Sequence, residues 1–322
     1  VPARIDRIRQ EAGRTVPSGH PAGSGRQRPA GATGAVAVSF TGKKTMKTWF
    51  ITGASRGLGM EIARSALEAG DNVVATARNP RPITDALTGH GGRLQAVALD
   101  VTDTAAIAAA LAESRRHFDR IDVLVNNAGY GQLGAFEEIT PETLHRQFET
   151  NVFGVFNVTR AILPIMRAQR SGHIVTISSI AGVEGFEGAS VYCSTKHAVS
   201  GWSEALGHEV APFGIHVTCV YPGRFRTDFL DGSSVRYGEI AIDDYAASSA
   251  RHRAALDADN HRQVGDPVKF AAAILALADA GKPPAWFAAG SDAYAVFTTK
   301  AEALRRNVEE WKGLTLSTDF PA

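Results

Sequence analysis

Two hydrophobic periods alternate along the chain from Lys47 onward. Short runs that are apolar almost throughout, at residues 47–52, 72–77, 94–99, 121–125, 174–177 and 215–220, read as strands. Between them apolar residues recur every three or four positions. Residues 57–69 carry Leu58, Ile62, Ala66 and Leu67 at that spacing before Gly70 stops the pattern. An alanine-rich helix is expected over 103–117, further helical segments over 142–170 and 190–210, and a final helix pair bracketing 283–289. Strands with no polar face need helices over both sides, which argues for a parallel sheet between two helical layers. No repeat of solenoid length interrupts the alternation.

The turn after the first run is Thr52-Gly53-Ala54-Ser55-Arg56-Gly57-Leu58-Gly59. Its glycines let the backbone turn sharply and approach a pyrophosphate, whose charge is met by the amides that open the following helix. Turn geometry alone can produce such spacing, so the motif is insufficient by itself. A triphosphate P-loop is excluded, because it needs Gly-Lys followed by Ser or Thr and here Gly59 precedes Met60-Glu61. The predicted class is α/β: a Rossmann-type doubly wound parallel sheet with helices on both faces, in a single domain spanning 46–322.

Asn151, Ser179, Tyr192 and Lys196 stand downstream in the order and spacing that hydride chemistry on a bound nicotinamide requires. A helix over 190–210 puts the Tyr192 phenol and the Lys196 ammonium, one turn apart, on the same face. A tyrosine hydroxyl titrates near ~10, and the neighbouring cation is expected to lower that value, making Tyr192 a usable proton donor and acceptor. These residues point to an oxidoreductase.

Composition narrows the partners. With 322 residues, 44% of them hydrophobic, the chain can bury a large core. A formal charge of +1 supplies no global field for nucleic acid or an anionic membrane, so a small-molecule partner is expected. No apolar run approaches the ~18 residues that would suggest a bilayer span. Cys193 and Cys219 are too few and too far apart for a disulfide framework or a zinc site, which fits a reducing compartment and makes the cytoplasm the expected location. Residues 1–45 scatter Arg, Pro, Gly and Ser without an apolar period, as a disordered N-terminal extension would. A transit peptide would also be rich in Arg and Ser, but Asp6, Glu11 and the lack of an amphipathic helix speak against one. The simpler expectation is a natural start at Met46.

Taken together, the turn at 52–59, Asn126-Asn127-Ala128-Gly129, Ile177-Ser178-Ser179, Tyr192-x-x-x-Lys196 and Pro222-Gly223 resemble the short-chain dehydrogenases/reductases, in family order, from about Met46 to the C-terminus. Within that family the likeness is to small reductases similar to 17β-hydroxysteroid and retinol dehydrogenases. The resemblance implies roles. Tyr192 is the acid/base, and Lys196 both lowers its pKa and holds the nicotinamide ribose. Ser179, rather than Ser178, polarises the substrate oxygen, and Asn151 holds a water that links Lys196 to a proton relay. Asp100 and the amide of Val101 contact the adenine, while Thr227, after Pro222-Gly223, contacts the carboxamide. Asn127, Ala128 and Gly129, at the end of the fourth strand, tie neighbouring strands together and let the cofactor ribose approach. Taken singly, Asp100 reads as a helix cap and Asn151 as a solvated helix residue.

Charge speaks to cofactor choice. A site for NAD places an acid after the second strand, whereas a 2′-phosphate needs that acid absent and an arginine present. Here Ala77-Arg78 ends the strand and Arg56 adds a second cation. NADP(H) is therefore expected in preference to NAD(H), with carbonyl reduction as the working direction. Residues 224–264 are expected to form an irregular, mobile substrate lid carrying Phe225, Phe229, Leu230, Tyr237 and Tyr245, faced by Val183, Phe186 and Tyr130. Cys193 points about 100° away from Tyr192 around a helix and is expected to be structural, like His197. The ten histidines show no metal-ligand spacing, and no metal is expected. Val296, Leu304, Val308 and Trp311, on a helix over 293–311, are expected to pack on the domain or on the sister subunit of a homo-oligomer, a dimer or tetramer.

Two other classes of function were weighed against these residues. A sugar-nucleotide epimerase or dehydratase uses the same Tyr-x-x-x-Lys pair, but it carries a larger C-terminal substrate domain than the residues after Pro222 allow. A non-catalytic NADP(H)-binding regulatory protein has no need of the four chemical residues, and this chain keeps them all.

Overall fold

The computed structural model describes residues 45–320, so the expectation for residues 1–45 lies, Thr45 excepted, outside the described residues. Nine strands are formed among the described residues: β1 (Thr48–Thr52), β2 (Asn72–Ala77), β3 (Leu94–Ala98), β4 (Val123–Asn126), β5 (Gly131–Leu133), β6 (Gly172–Ile177), β7 (Ile215–Pro222), β8 (Val235–Tyr237) and β9 (Trp286–Ala289). Seven of them make one parallel sheet in the order β3-β2-β1-β4-β6-β7-β9, and β5 pairs with β8 as a separate parallel ribbon. The helices are α1 (Gly57–Glu68), α2 (Arg81–Ala86), α3 (Thr104–Arg115), α4 (Pro141–Phe148), α5 (Gly154–Gln169), α6 (Ser190–Val210), α7 (Asp243–Asp259), α8 (Pro267–Asp279), α9 (Ser291–Glu310) and α10 (Lys312–Leu316).

The unbroken apolar strands serve two cores. Along β1 side chains alternate, so Trp49 and Ile51 pack with Ile62 of α1 and Ile274 of α8, whereas Phe50 packs with Ile107 of α3 and Ile162 of α5. The chain leaves β1 toward β2 and β3 and returns on the other side as β4, so strand order reverses between β1 and β4. Open α/β sheets bind ligands outside the carboxyl ends of the strands at such a reversal. Among the described residues no helix is long and apolar enough to cross a membrane.

Two sequence expectations are filled in and one is revised. The helix pair expected to bracket 283–289 is α8 and α9, and between them lies β9, an edge strand of four residues whose Trp286 is exposed. The helical segments expected over 142–170 are α4 and α5, joined by a π turn, Glu149–Phe153, which carries Asn151. The segment 224–264 is not irregular, since it includes β8 and the 17-residue α7. No residue of α7 is fully buried; Leu256 packs against the cluster of Leu133, Cys193 and Val235, and polar contacts complete the docking: Ser249 Oγ donates to Glu138 Oε2 at 2.7 Å, Tyr245 Oη donates to Glu137, and the Arg253 guanidinium stacks 4.0 Å from the Tyr237 ring.

Candidate active site

The glycine turn is tied to the end of β4 before any ligand is considered. Thr52 Oγ1 accepts from the amides of Asn127 and Ala128, each at 3.0 Å, and Asn127 Nδ2 donates to the carbonyls of Thr52 and Gly53. That approach dictates glycine at two positions. A Cβ on Gly53, whose φ is +67°, would stand 2.8 Å from Ala128 Cα, and one on Gly59 would stand 2.5 Å from Asn127 Nδ2. No side chain caps α1 and no acid lies in its first turn, so its leading amides remain free to meet an anion.

The second wall comes from β6 and α6. Ser179 follows β6 and caps the 3₁₀ turn Ile180–Gly182, its Oγ accepting from Ala181 N at 3.1 Å, and it is also hydrogen-bonded to the Tyr192 phenol. Ser178 faces away, binding the Lys196 carbonyl at 3.1 Å and Ser200 Oγ at 3.0 Å, as befits a structural hydroxyl. Lys196 Nζ donates to the Ile177 carbonyl at 2.8 Å and lies 5.7 Å from the Tyr192 ring centroid. Asn151 is buried within the π turn. Its Oδ1 accepts from Tyr130 N, and its Nδ2 donates to Tyr130 O at 2.9 Å and to Thr195 Oγ1 at 3.3 Å.

The electrostatics differ from the sequence expectation. Burial pushes the Tyr192 phenol above its ordinary range, and the hydrogen bond from Ser179 offsets only part of that rise. The same desolvation lowers Lys196 to about 8. The expected depression of the phenol by the ammonium is not found: burial is the largest influence on Tyr192 and raises it, while Lys196 Nζ is engaged by the Ile177 carbonyl. The Cys193 thiol is likewise pushed up by burial, against Leu133 and Ala189, which supports its structural reading.

Both walls open onto a cleft of about 1140 Å³. Of the predicted site residues, Ser55, Leu58, Asp100, Val101, Gly129, Pro222 and Gly223 line it, as do the two arginines and the Ser179–Tyr192–Lys196 group. Thr52, Gly59 and Asn151 do not; they lie behind its wall and fix the residues that do. Phe225, Phe229, Leu230, Phe186 and Tyr130 also reach the cleft, and the Phe229 ring lies 6.0 Å from that of Tyr192. Val183, Tyr237 and Tyr245 are not among its lining residues, the last two being occupied in docking α7. Asp100 Oδ1 accepts from the amide and hydroxyl of Thr102, while the cap of α3 is Asp103. Thr227 caps the 3₁₀ turn Asp228–Leu230 and faces Gly57. Arg78 is exposed, with no hydrogen bond or ion pair among the described residues. Arg56 Nη2 donates to Ser233 O and Ser234 Oγ, a contact no sequence pattern signals. Nor did spacing reveal that Asp228, Asp231 and His261 converge; Asp231 Oδ1 is already bonded to Asn260 and His261.

These features fit a nicotinamide dinucleotide: free amides at α1, glycines where a phosphate backbone must come close, an unpaired arginine at the end of β2, and a cleft large enough for cofactor and substrate together.

Comparison with known proteins agrees. The profile of the short chain dehydrogenase family matches residues 47–236. Oxidoreductase BOA17 of Botryotinia fuckeliana (strain B05.10) is 41% identical over 273 residues, 84% of this chain and 99% of that protein. The 3-ketodihydrosphingosine reductase of Bacteroides thetaiotaomicron is 38% identical over 234 residues, 73% of this chain and 84% of that one. Among solved structures, a short-chain dehydrogenase from Streptomyces avermitilis has a TM-score of 0.79 at 41% identity, covering 86% of this chain and 100% of its own. ElxO with NADP bound has a TM-score of 0.63 at 26% identity, covering 76% of this chain and 96% of its own. A Burkholderia phymatum short chain dehydrogenase/reductase in complex with NAD shares the fold, with a TM-score of 0.70 at 22% identity over 83% of this chain and 95% of its own.

Proposed function

The chain belongs to the short-chain dehydrogenase family and is an oxidoreductase, and on that footing we propose that it interconverts a carbonyl compound and a primary or secondary alcohol with NADP(H), chiefly toward the alcohol. The observation that carries this reading is the grouping of Ser179, Tyr192 and Lys196 on one wall of the cleft whose other wall is the glycine turn. When bound, the nicotinamide supplies the hydride.

The remaining work falls to the chain. The glycine turn and the first amides of α1 hold the pyrophosphate, Asp100 and the Val101 amide flank the adenine, Asn127 to Gly129 admit the ribose, and Thr227 with Pro222-Gly223 holds the carboxamide. Ser179 Oγ donates to the substrate oxygen, and Tyr192 Oη gives that oxygen its proton in reduction or takes it in oxidation. Burial keeps the phenol protonated at neutral pH, which suits reduction. Lys196 holds the nicotinamide ribose and keeps a positive charge behind the phenol. Asn151, its amide engaged by Tyr130, holds the π turn against α6 and so supports the proton relay.

Phe186, Phe229 and Leu230 favour an apolar or cyclic carbonyl compound, in keeping with the likeness to 17β-hydroxysteroid and retinol dehydrogenases and with a relative named for reducing a ketone. Residues 224–264 act as the lid, and α7, docked without a fully buried side chain, is the part that moves. A cytoplasmic homo-oligomer, dimer or tetramer, completes the reading: both thiols are buried and free, and Leu304, Val308 and Trp311 of the C-terminal helical region stand exposed.

Arg78 tests the cofactor assignment. Arg78→Ala is expected to weaken NADPH by about 10–100-fold, the scale of a lost charge-assisted phosphate contact, and NADH far less. Titration of cofactor fluorescence measures both. Equal losses for the two cofactors would mean that Arg78 does not read the phosphate.

A further inference from the structure

The glycine turn and the lid segment meet at a single side chain. Arg56 leaves the turn exposed, yet its Nη2 donates to the Ser233 carbonyl at 2.9 Å and to Ser234 Oγ at 2.7 Å. Ser234 is not a loose surface hydroxyl. Only 7% of it is exposed, its amide donates to Asp231 O at 2.8 Å, and its carbonyl accepts from Gly131 N at 2.9 Å. The next residue begins β8, which is paired to β5, and β5 continues directly from Asn127 to Gly129. The acceptor is therefore anchored to the same β4 end that fastens the glycine turn.

Such an anchor has a specific consequence for a guanidinium. Both bonds fall on one nitrogen, so they fix the plane of the group while Nε and Nη1 keep their donors. Both acceptors are neutral, and Arg56 forms no ion pair among the described residues. The nearby Asp231 carboxylate feels its charge but is bonded through Oδ1 to Asn260 and His261. Arg56 is thus held oriented, cationic and still able to donate, on a cleft that Arg78 also lines.

We infer that Ser234 is a positioning residue for cofactor choice, holding the Arg56 guanidinium ready for the phosphate that distinguishes NADP(H) from NAD(H). This rests on the NADP(H) reading given above. Freedom removed from Arg56 in advance is freedom the phosphate does not have to remove on binding.

The test is direct cofactor titration, without substrate, of wild type, Ser234→Ala, Ser234→Thr, Arg78→Ala, Arg56→Ala and the Arg56→Ala/Ser234→Ala double variant. Ser234→Ala should weaken NADPH about five- to tenfold and leave NADH within about twofold. Ser234→Thr, which keeps the hydroxyl, should restore most of the loss, and Ser234→Ala should add nothing once Arg56 is gone. Equal loss of both cofactors, no loss of either, or an undiminished effect in the Arg56→Ala background would overturn the inference. If Arg78→Ala collapses the preference for NADPH and Ser234→Ala does not, the NADP(H) reading stands and Ser234 alone is refuted. If wild type holds NADPH no tighter than NADH, both fall.

Discussion

Tyr192→Phe is expected to lower carbonyl reduction by roughly 10²–10⁴-fold, the range general acid catalysis supplies, with NADPH affinity nearly unchanged. The substitution removes one hydroxyl and little else. A phenylalanine ring keeps the packing against Phe229, whose centroid is 6.0 Å away, and the glycine turn and arginines that line the cleft are untouched. Ser179 still hydrogen-bonds the substrate oxygen but has no proton of suitable acidity to give it. Steady-state kcat/KM together with cofactor titration separates the two effects. Turnover equal to wild type would remove Tyr192 from the chemistry, and a parallel collapse of NADPH binding would make its role structural.

Lys196→Met should show function and stability moving in opposite directions. Turnover should fall at least 10²-fold, since the cation behind the phenol and the ribose contact go together. The apo fold, by contrast, should gain. Burial lowers Lys196 from its ordinary 10.5 to about 8, so the folded protein holds this ammonium at a cost on the order of 3 kcal/mol below pH 8, partly offset by the bond to the Ile177 carbonyl. The sign follows from proton binding. Between pH 8 and 10.5 the unfolded chain carries a proton here that the folded one has lost, so this group makes wild-type stability rise with pH across that window. The variant lacks the rise. Its advantage in thermal denaturation, a few degrees for a domain of this size, should be greatest below pH 8 and fade toward 10.5. A variant less stable than wild type at pH 7 would show that the ammonium is welcome where it sits.

The sheet was legible where one physical signal sufficed. β1, β2 and β7 are buried at nearly every position and therefore mostly apolar, and α6 runs over the same residues as its helical period. The placement of Tyr192 and Lys196 together on one wall of the cleft is legible because an i, i+4 spacing on a helix puts both side chains on one face. What escaped notice depends on contacts distant in sequence. β9 is a four-residue edge strand, and β5 and β8 have three residues each and gain meaning only from one another. α7 has no apolar stripe, since Leu256 alone packs on a core cluster and its other named contacts are polar, so nothing in its period separates it from a loop. Asn151 in the π turn clamps Tyr130, 21 positions earlier, and Arg56 finds Ser234 across 178. The balance of proton affinities at Tyr192 was misjudged for a related reason. Adjacency on a helix reveals the neighbouring charge, whereas burial, which prevails here, is a property of the folded whole.

In the proposed reaction hydride reaches a substrate carbonyl carbon while Tyr192 protonates its oxygen. NADPH deuterated at the transferable position, supplied with a panel of ketones and aldehydes, tests it through mass and NMR analysis of the alcohol formed. One deuterium on the carbinol carbon is expected, formed by wild type roughly 10²–10⁴-fold faster than by Tyr192→Phe. An alcohol whose carbinol hydrogen comes from solvent, or one formed equally well by both proteins, would contradict it.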